Sequence, residues 1–214
     1  MTTKATVIVL AAGRGSRFDG VAHKLAQPLG ATTVLEATLA TAIASQLHVV
    51  VVTTARFEDV ARHSVAARDV VVLPEVGTSD DEVLGMGASI AAGVRSCPDS
   101  TGWLVLPGDM PLVQPATLMA VARGLEQHPV AYAQHLGRRG HPVGFAAELF
   151  SELIALRGDE GARRVIARYP GAAVECGDPG ILVDIDTADD LDALRRQPDA
   201  AMLVEQRRAA SSER

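Results

Sequence analysis

Aromatic residues make up only 3% of the 214-residue sequence, and acidic side chains outnumber basic ones. Proteins that bind single-stranded nucleic acid stack bases on aromatic side chains, so this shortage argues against that class. The formal net charge of −6 provides no overall attraction for DNA or RNA. We therefore expect no nucleic-acid partner, and instead a small anion held by a local group of cations.

Cysteine and long apolar runs are also scarce. Cys97 and Cys176 are far apart and lack the spacing of a metal site. Two isolated thiols in a chain of this size are typical of a reducing compartment. No apolar run approaches membrane-spanning length, and the first run leads directly into a glycine-bearing loop instead of a cleavage region. The composition predicts a cytoplasmic protein with no membrane partner.

Residues 7–24, VIVLAAGRGSRFDGVAHK, join an apolar run to a small, basic, glycine-bearing segment. The run suits a strand buried on both faces of a parallel sheet. Successive N–H groups in a tight turn can surround an anion, and Arg14, Arg17 and Lys24 add positive charge. The spacing matches neither Walker A nor GxGxxG. We predict a phosphate-binding loop; an ordinary glycine-rich turn with solvated arginines is the alternative.

Apolar runs and helical patterns alternate along the chain. Strands are predicted at residues 48–53, 69–74 and 103–107, separated by helices, which indicates a parallel sheet with helices on both faces. A last strand is predicted at 181–185. Residues 75–85 form an acidic stretch that we interpret as a solvated loop. The sequence favours one domain over residues 1–197 and a frayed tail at 198–214.

Carboxylates follow two of the predicted strands. Asp109 comes directly after the strand at 103–107, where ligands bind in open α/β sheets. It is either a magnesium ligand or a turn residue. Asp184 and Asp186 alternate with Ile185, so both would face one side of a strand. Asp186 also has an explanation as a helix cap.

Two glycine-bearing segments have both a structural and a functional explanation. Gly85 to Ser89, GMGAS, precedes a helix, where backbone donors can face a ligand or simply cap the helix. The turn HLGRRG leads into His141, which either contacts a substrate or belongs to the turn. These alternatives stay open on the residues alone.

The motifs taken together resemble a known family. LAAGRGSRF with Lys24, then GMGAS, LPGDMP, GHPVGF, GDEGAR and VDIDTADDL occur in the order found in MobA-like nucleotidyltransferases. Within that superfamily the chain looks most like the molybdenum cofactor cytidylyltransferases. The resemblance covers residues 7–196. It implies an α/β fold: a single Rossmann-like three-layer domain with a mostly parallel central sheet, of the nucleotide-diphospho-sugar transferase type.

The resemblance also implies roles for particular residues. Lys24, Arg17 and Asp109 would be catalytic, and Mg²⁺ would bind Asp109 with Asp184 or Asp186. Residues of two segments would bind the nucleotide: Leu10, Ala11, Ala12, Gly13, Gly15, Gly85, Met86 and Ser89. The second substrate would face His141, Asp159, Gly161 and Arg163. Ala12 favours CTP, since LAAG accompanies cytidine enzymes of the family and LAGG accompanies guanylyl transfer.

The implied activity is Mg²⁺-dependent transfer of CMP from CTP to the phosphate of molybdopterin, with release of pyrophosphate. A molybdoenzyme or its chaperone would be a further partner. Two other functions stay open: nucleotidyl transfer to a sugar or polyol phosphate, and a non-catalytic carrier of the molybdenum cofactor. Lys24 and Asp109 argue against the carrier, which needs neither a leaving-group cation nor a metal.

Overall fold

The first predicted strand lies inside the sheet, between two parallel neighbours. In a computed structural model that describes residues 4–15, 18, 22–74 and 85–196, strand β1 spans Thr6–Ala11. It pairs in parallel with β4, His48–Thr54, on one side and with β6, Gly102–Pro107, on the other. Val7, Ile8 and Val9 are all fully buried. A strand covered on both faces has no side that favours polar residues, which explains the unbroken apolar run.

The central sheet is mostly parallel, as predicted. Its other strands are β5 Val70–Leu73, β7 Val130–His135, β8 Arg138–Ala146 and β9 Gly171–Glu175. The strand order is β5–β4–β1–β6–β8–β7–β9, and β8 alone runs antiparallel to its neighbours β6 and β7. A two-stranded ribbon of β2, Pro28–Leu29, and β3, Thr32–Thr33, lies apart from this sheet. The reversal brings the start of β8 to the edge where β1 and β6 end.

Helices cover both faces of the sheet and form the outer layers of the predicted three-layer α/β fold. They are α1 Val34–Ala44, α2 Glu58–Ser64, α3 Met86–Ser96, α4 Pro115–Gly124, α5 Phe150–Ile154, α6 Arg163–Arg168 and α7 Ala188–Arg195. One apolar core contains residues of α1, α2, α4 and α7; the other contains residues of α3, α5 and α6. In β1, Val7 and Val9 join the first core and Ile8 joins the second. None of these helices, within the described residues, is long and apolar enough to cross a membrane.

The predicted strand at 181–185 is wrong. Pro179–Leu182 forms a 3₁₀ helix, and residues 183–186 continue without a strand partner. The Ile185 N–H instead donates to the Asp109 carbonyl at 3.1 Å, and Ile185 is fully buried. The predicted orientation of Ile185 is nevertheless correct, because its side chain faces the core. Tertiary packing, and not pairing in a sheet, imposes this orientation.

Asp178 anchors this segment. Its carboxylate, 2% exposed as a residue, accepts hydrogen bonds from the Gln114 N–H (2.8 Å), the Thr117 hydroxyl (2.7 Å) and the Gly180 N–H (3.0 Å). A Cβ at Gly180 would overlap the Leu112 carbonyl. A fully bonded buried carboxylate is favourable, whereas loss of the carboxylate leaves buried donors unpaired.

We predict that Asp178→Ala lowers the free energy of unfolding by about 3 kcal/mol, because three donors then lack an acceptor. Chemical denaturation measured by circular dichroism provides the value. The exposed Asp99 is the matched control, and Asp99→Ala should change the free energy by less than about 0.5 kcal/mol. Equal losses in the two variants would show that Asp178 is not an anchor.

Candidate active site

A cavity of about 990 Å³ opens at the edge where β1 and β6 end. This volume is at the upper end of the range for small-molecule sites. Among the residues that line it are many of those predicted from sequence: Leu10, Ala12, Gly13, Gly15, Lys24, Gly85, Met86, Ser89, Asp109, His141, Asp159, Asp184 and Asp186. Segments far apart in the chain thus share one site. The carboxyl edge of a parallel sheet is where such segments meet.

Three predicted site residues lie elsewhere, and one is not described. Ala11 is 1% exposed and belongs to the apolar core, because its side chain alternates with those of Leu10 and Ala12. Gly161 packs against Met86 behind the cavity wall, and Arg163 begins α6; neither lines the cavity. Arg17, the acidic stretch 75–84 and the tail lie outside the described residues.

Lys24 connects the two sides of the cavity floor. Its ammonium donates to Asp109 Oδ2 at 2.6 Å and to Asp186 Oδ1 at 2.8 Å. The three side chains are largely buried, with exposures of 14%, 15% and 21%. Burial alone would lower the pKa of Lys24, but attraction to Asp109 and Asp186 outweighs it and raises the pKa above its usual value. Lys24 is therefore fully charged at neutral pH.

The donor set around Lys24 fits a hard divalent cation. Asp109 Oδ1 is buried and accepts no hydrogen bond, so one carboxylate oxygen remains available for a ligand. The described residues hold no group of three or more His, Cys, Asp or Glu side chains that could bind a metal. Mg²⁺ commonly takes one or two carboxylates and completes its coordination with water and substrate phosphate. Paired aspartates fit that requirement and do not fit a closed structural metal site.

The two aspartates of the VDID motif have different surroundings. Asp186 shares the Lys24 ammonium with Asp109, whereas Asp184 is exposed on the cavity rim. Thr187, and not Asp186, caps α7: its hydroxyl accepts from the Asp190 N–H. The capping explanation for Asp186 is therefore wrong, and its carboxylate faces the site.

His23 supports the glycine loop and was not assigned a role from sequence. Its Nε2 lies 3.0 Å from the Gly13 carbonyl, and its Nδ1 accepts from the Leu25 N–H at 3.2 Å. These partners select the neutral tautomer with hydrogen on Nε2. Gly15 has φ +62°, and a Cβ there would lie 2.8 Å from the same Nε2. His23 thus ties the loop to the turn that carries Lys24.

The GMGAS and GDEGAR motifs pack against each other. The Gly87 N–H donates to the Gly158 carbonyl at 2.8 Å. A Cβ at Gly85 would lie 2.5 Å from the same carbonyl, and one at Gly87 would lie 2.6 Å from the Arg157 carbonyl. Two backbones can approach this closely only where side chains are absent. These glycines therefore have a packing role, which positions Met86 and Asp159 on the cavity wall.

His141 and two arginines form the wall opposite the glycine loop. His141 Nδ1 is buried and has no hydrogen-bond partner. Burial lowers the pKa of His141, although Asp109 and the Val105 carbonyl act in the opposite direction. Arg138 and Arg139 also line the cavity, whereas the sequence predicts only a turn at these residues. Adjacent arginines just before a predicted substrate-facing histidine are the signal that could have identified them.

Comparison with known proteins identifies the family. The family model of the MobA-like NTP transferase domain matches residues 7–174. Purine catabolism protein PucB of Bacillus subtilis (strain 168) is 31% identical over 205 residues, which cover 88% of this chain and 95% of PucB.

Solved structures agree with this assignment. The crystal structure of Rv0371c from Mycobacterium tuberculosis H37Rv is 31% identical, with a TM-score of 0.72 over 91% of this chain and 100% of that one. A structure of Rv0371c in complex with manganese is 28% identical, with a TM-score of 0.73 over 92% and 100% of the two chains. The chain belongs to the MobA-like NTP transferase family and is a nucleotidyltransferase.

Proposed function

We propose that this nucleotidyltransferase transfers CMP from CTP to the phosphate of a molybdopterin-type acceptor and releases pyrophosphate. The observation that carries the proposal is the meeting of Lys24, Asp109 and Asp186 beside the glycine loop, in a cavity large enough for a nucleotide and a second substrate. The choice of CTP and of the acceptor is supported by the LAAG, GHPVGF and GDEGAR motifs, through their resemblance to the cytidylyltransferase branch.

The chemistry is an exchange at the α-phosphorus. A phosphate oxygen of the acceptor forms a bond to that phosphorus, the bond to the bridging oxygen breaks, and pyrophosphate carries away the electron pair. Such a reaction needs alignment and neutralisation of charge and no covalent catalyst. Lys24, charged and near the end of the glycine loop, would bind the β- and γ-phosphates and the leaving pyrophosphate. The resemblance assigns Arg17 to the same phosphates.

Asp109 and Asp186 are the residues that would hold a divalent cation. Their oxygen-only chemistry and the unbonded Asp109 Oδ1 support Mg²⁺, and the manganese complex of the Rv0371c relative supports use of a divalent ion. When bound, the cation supplies positive charge to phosphate oxygens. Asp184, at the rim, is the weaker candidate for a ligand because it has no contact with Lys24.

The nucleotide wall would consist of the loop and the start of α3. Ala12 lines the cavity with 9% of its surface exposed, so its methyl group limits the space beside the loop. Gly13, Gly15, Gly85, Met86 and Ser89 line the same cavity. On the acceptor side, His141 and Asp159 would contact the second substrate directly. Gly161 and Arg163 would act from behind the wall.

We predict that Asp109→Asn lowers pyrophosphate release from CTP, Mg²⁺ and molybdopterin by about 10²–10³-fold. The divalent cation that would offset charge at the transferring phosphate then lacks one of its carboxylate ligands. Asp186→Asn should have a comparable effect, and Asp184→Asn a much smaller one. Circular dichroism establishes that each variant is folded, and Asp99→Asn is the surface control. Unchanged turnover in Asp109→Asn would refute the metal role, and no release by the wild type with any NTP would favour a carrier.

We predict that CTP raises the thermal unfolding midpoint more than GTP does, because a ligand that binds only the folded state stabilises it. Ala12→Gly removes the methyl group beside the loop and should shift this preference towards GTP. The neighbouring Ala11→Gly is the matched control, since Ala11 lies in the core and not in the cavity. The same change of preference in both variants would contradict a selective role of Ala12. Differential scanning fluorimetry measures all three proteins.

We predict that His23 makes stability depend on pH. Burial lowers the pKa of His23 in the folded protein, and Arg56 and Lys24 act in the same direction. The unfolded chain therefore binds the proton first, so the contribution of His23 is complete above about pH 6.5 and is lost as the pH falls below it.

The measurement is the free energy of unfolding of the wild type and of His23→Gln between pH 7.5 and 5, a range set by the usual histidine pKa of about 6.5. The difference between the two proteins should shrink as the pH falls. The same substitution at the exposed His128 is the control for removal of a histidine. A difference that stays constant with pH would rule out the neutral, loop-supporting state of His23.

A further inference from the structure

Arg138 and Arg139 line the cavity and form no ion pair with a carboxylate among the described residues. Four aspartates line the same cavity: Asp109, Asp159, Asp184 and Asp186. Among the described residues, no carboxylate lies within 4.0 Å of either guanidinium, and neither makes a side-chain hydrogen bond. Other arginines do form ion pairs, such as Arg62 with Glu58. Within the described part of the chain, the two arginines are therefore available to an anion that enters the cavity.

The two arginines are carried by a firmly held turn. Leu136 and Gly137, with φ of +49° and +76°, connect β7 to β8, and His135 pairs with Arg138 across the turn. Glu175 on β9 accepts from the Leu136 N–H at 2.7 Å and from Gln134 Nε2 at 3.0 Å. Glu175 is thus engaged by neutral donors. No ion pair among the described residues neutralises the two arginines of this turn.

Tyr132 orients one of these cations. The guanidinium carbon of Arg139 lies 4.4 Å from the centre of the Tyr132 ring. A guanidinium over an aromatic face keeps its N–H groups at the edges free for hydrogen bonds. Loss of side-chain freedom on binding is then small, because the position of Arg139 is already restricted.

The position of the pair separates it from the nucleotide loop. β8 lies two strands from β1, with β6 between them. Strands are spaced by about 4.8 Å, so the start of β8 is roughly 10 Å from the end of β1. Arg14 of the glycine loop follows the end of β1, whereas Arg138 and Arg139 lie at the start of β8. One cavity therefore has cations at two separate places, as transfer between two phosphate-bearing substrates requires.

We propose that Arg138 and Arg139 bind the phosphate monoester of the acceptor and make this site selective for phosphorylated acceptors. The proposal rests on the proposed function, since it presumes a second, phosphate-bearing substrate. Guanidinium groups match phosphate oxygens in pairs of parallel hydrogen bonds, which lysine does not provide. Positively charged arginines also compensate the repulsion between the incoming phosphate and the aspartates.

The first experiment measures steady-state kinetics with CTP, Mg²⁺ and molybdopterin. Arg138→Ala and Arg139→Ala should each raise KM for molybdopterin by about tenfold or more and change KM for CTP by less than about twofold. Arg138→Lys and Arg139→Lys should recover only part of the loss, because charge returns without the paired geometry. Arg123→Ala, an exposed arginine of α4 outside the cavity, is the control and should behave as the wild type.

The second experiment does not depend on the identity of the acceptor. Calorimetry measures binding of inorganic phosphate to protein saturated with Mg²⁺ and a non-hydrolysable CTP analogue. The alanine variants should weaken phosphate binding by about the same factor as they raise KM. If molybdopterin is not the acceptor, the wild type shows no turnover in the first experiment, whereas this one still responds to the arginines.

Three results would overturn the proposal. The first is that the nucleotide-saturated wild type binds no phosphate, and the second is that both alanine variants bind phosphate as tightly as the wild type does. The third is an equal rise of KM for CTP and for molybdopterin, which would assign the arginines to the nucleotide. Circular dichroism and thermal unfolding of each variant exclude loss of folding as the cause of an effect.

Discussion

The ion-paired group of Lys24, Asp109 and Asp186 is the interaction on which the site depends. It joins three segments of the chain, since Asp109 lies 85 residues and Asp186 lies 162 residues after Lys24. Each charge is mostly buried, so each is costly without the others. In the ligand-free protein the ammonium compensates the two carboxylates that would otherwise repel each other at the cavity floor. Because the two carboxylates require a cation between them, the same place in the cavity suits a divalent metal ion and the phosphates of a substrate.

The cavity walls around that group are positioned by chain segments whose backbones lie very close together. Gly85 and Gly87 lie against residues 157–158, and Gly140 lies against the Ile181 carbonyl. At each joint a Cβ would overlap another backbone atom, so the glycines are needed for packing whether or not they touch a substrate. The glycine-bearing motifs of this family signature therefore serve the architecture as well as the ligand. Asp178 serves it too, by fixing the segment that leads to Asp186.

Much of the fold could be predicted because its signals are local. The apolar runs that form β1, β4 and β6 follow directly from burial on both faces. The sequence does not predict β8 or β9, since polar residues such as Arg138 and Glu175 lie in strands at the less buried end of the sheet. The alternation in residues 181–185 predicts a strand because buried extended chain and strand share this pattern.

The sequence by itself determined the superfamily, the parallel α/β architecture and most of the residues that line the cavity, because motif order and hydrophobic pattern are properties of the chain. Only the tertiary structure decided that Asp186, and not Asp184, shares Lys24 with Asp109, that Ala11 is core, and that Arg138 and Arg139 face the site. These outcomes depend on distances between segments far apart in sequence. They follow from the antiparallel β8, from the Asp178 anchor and from which carboxylates lie within hydrogen-bond distance of the Lys24 ammonium.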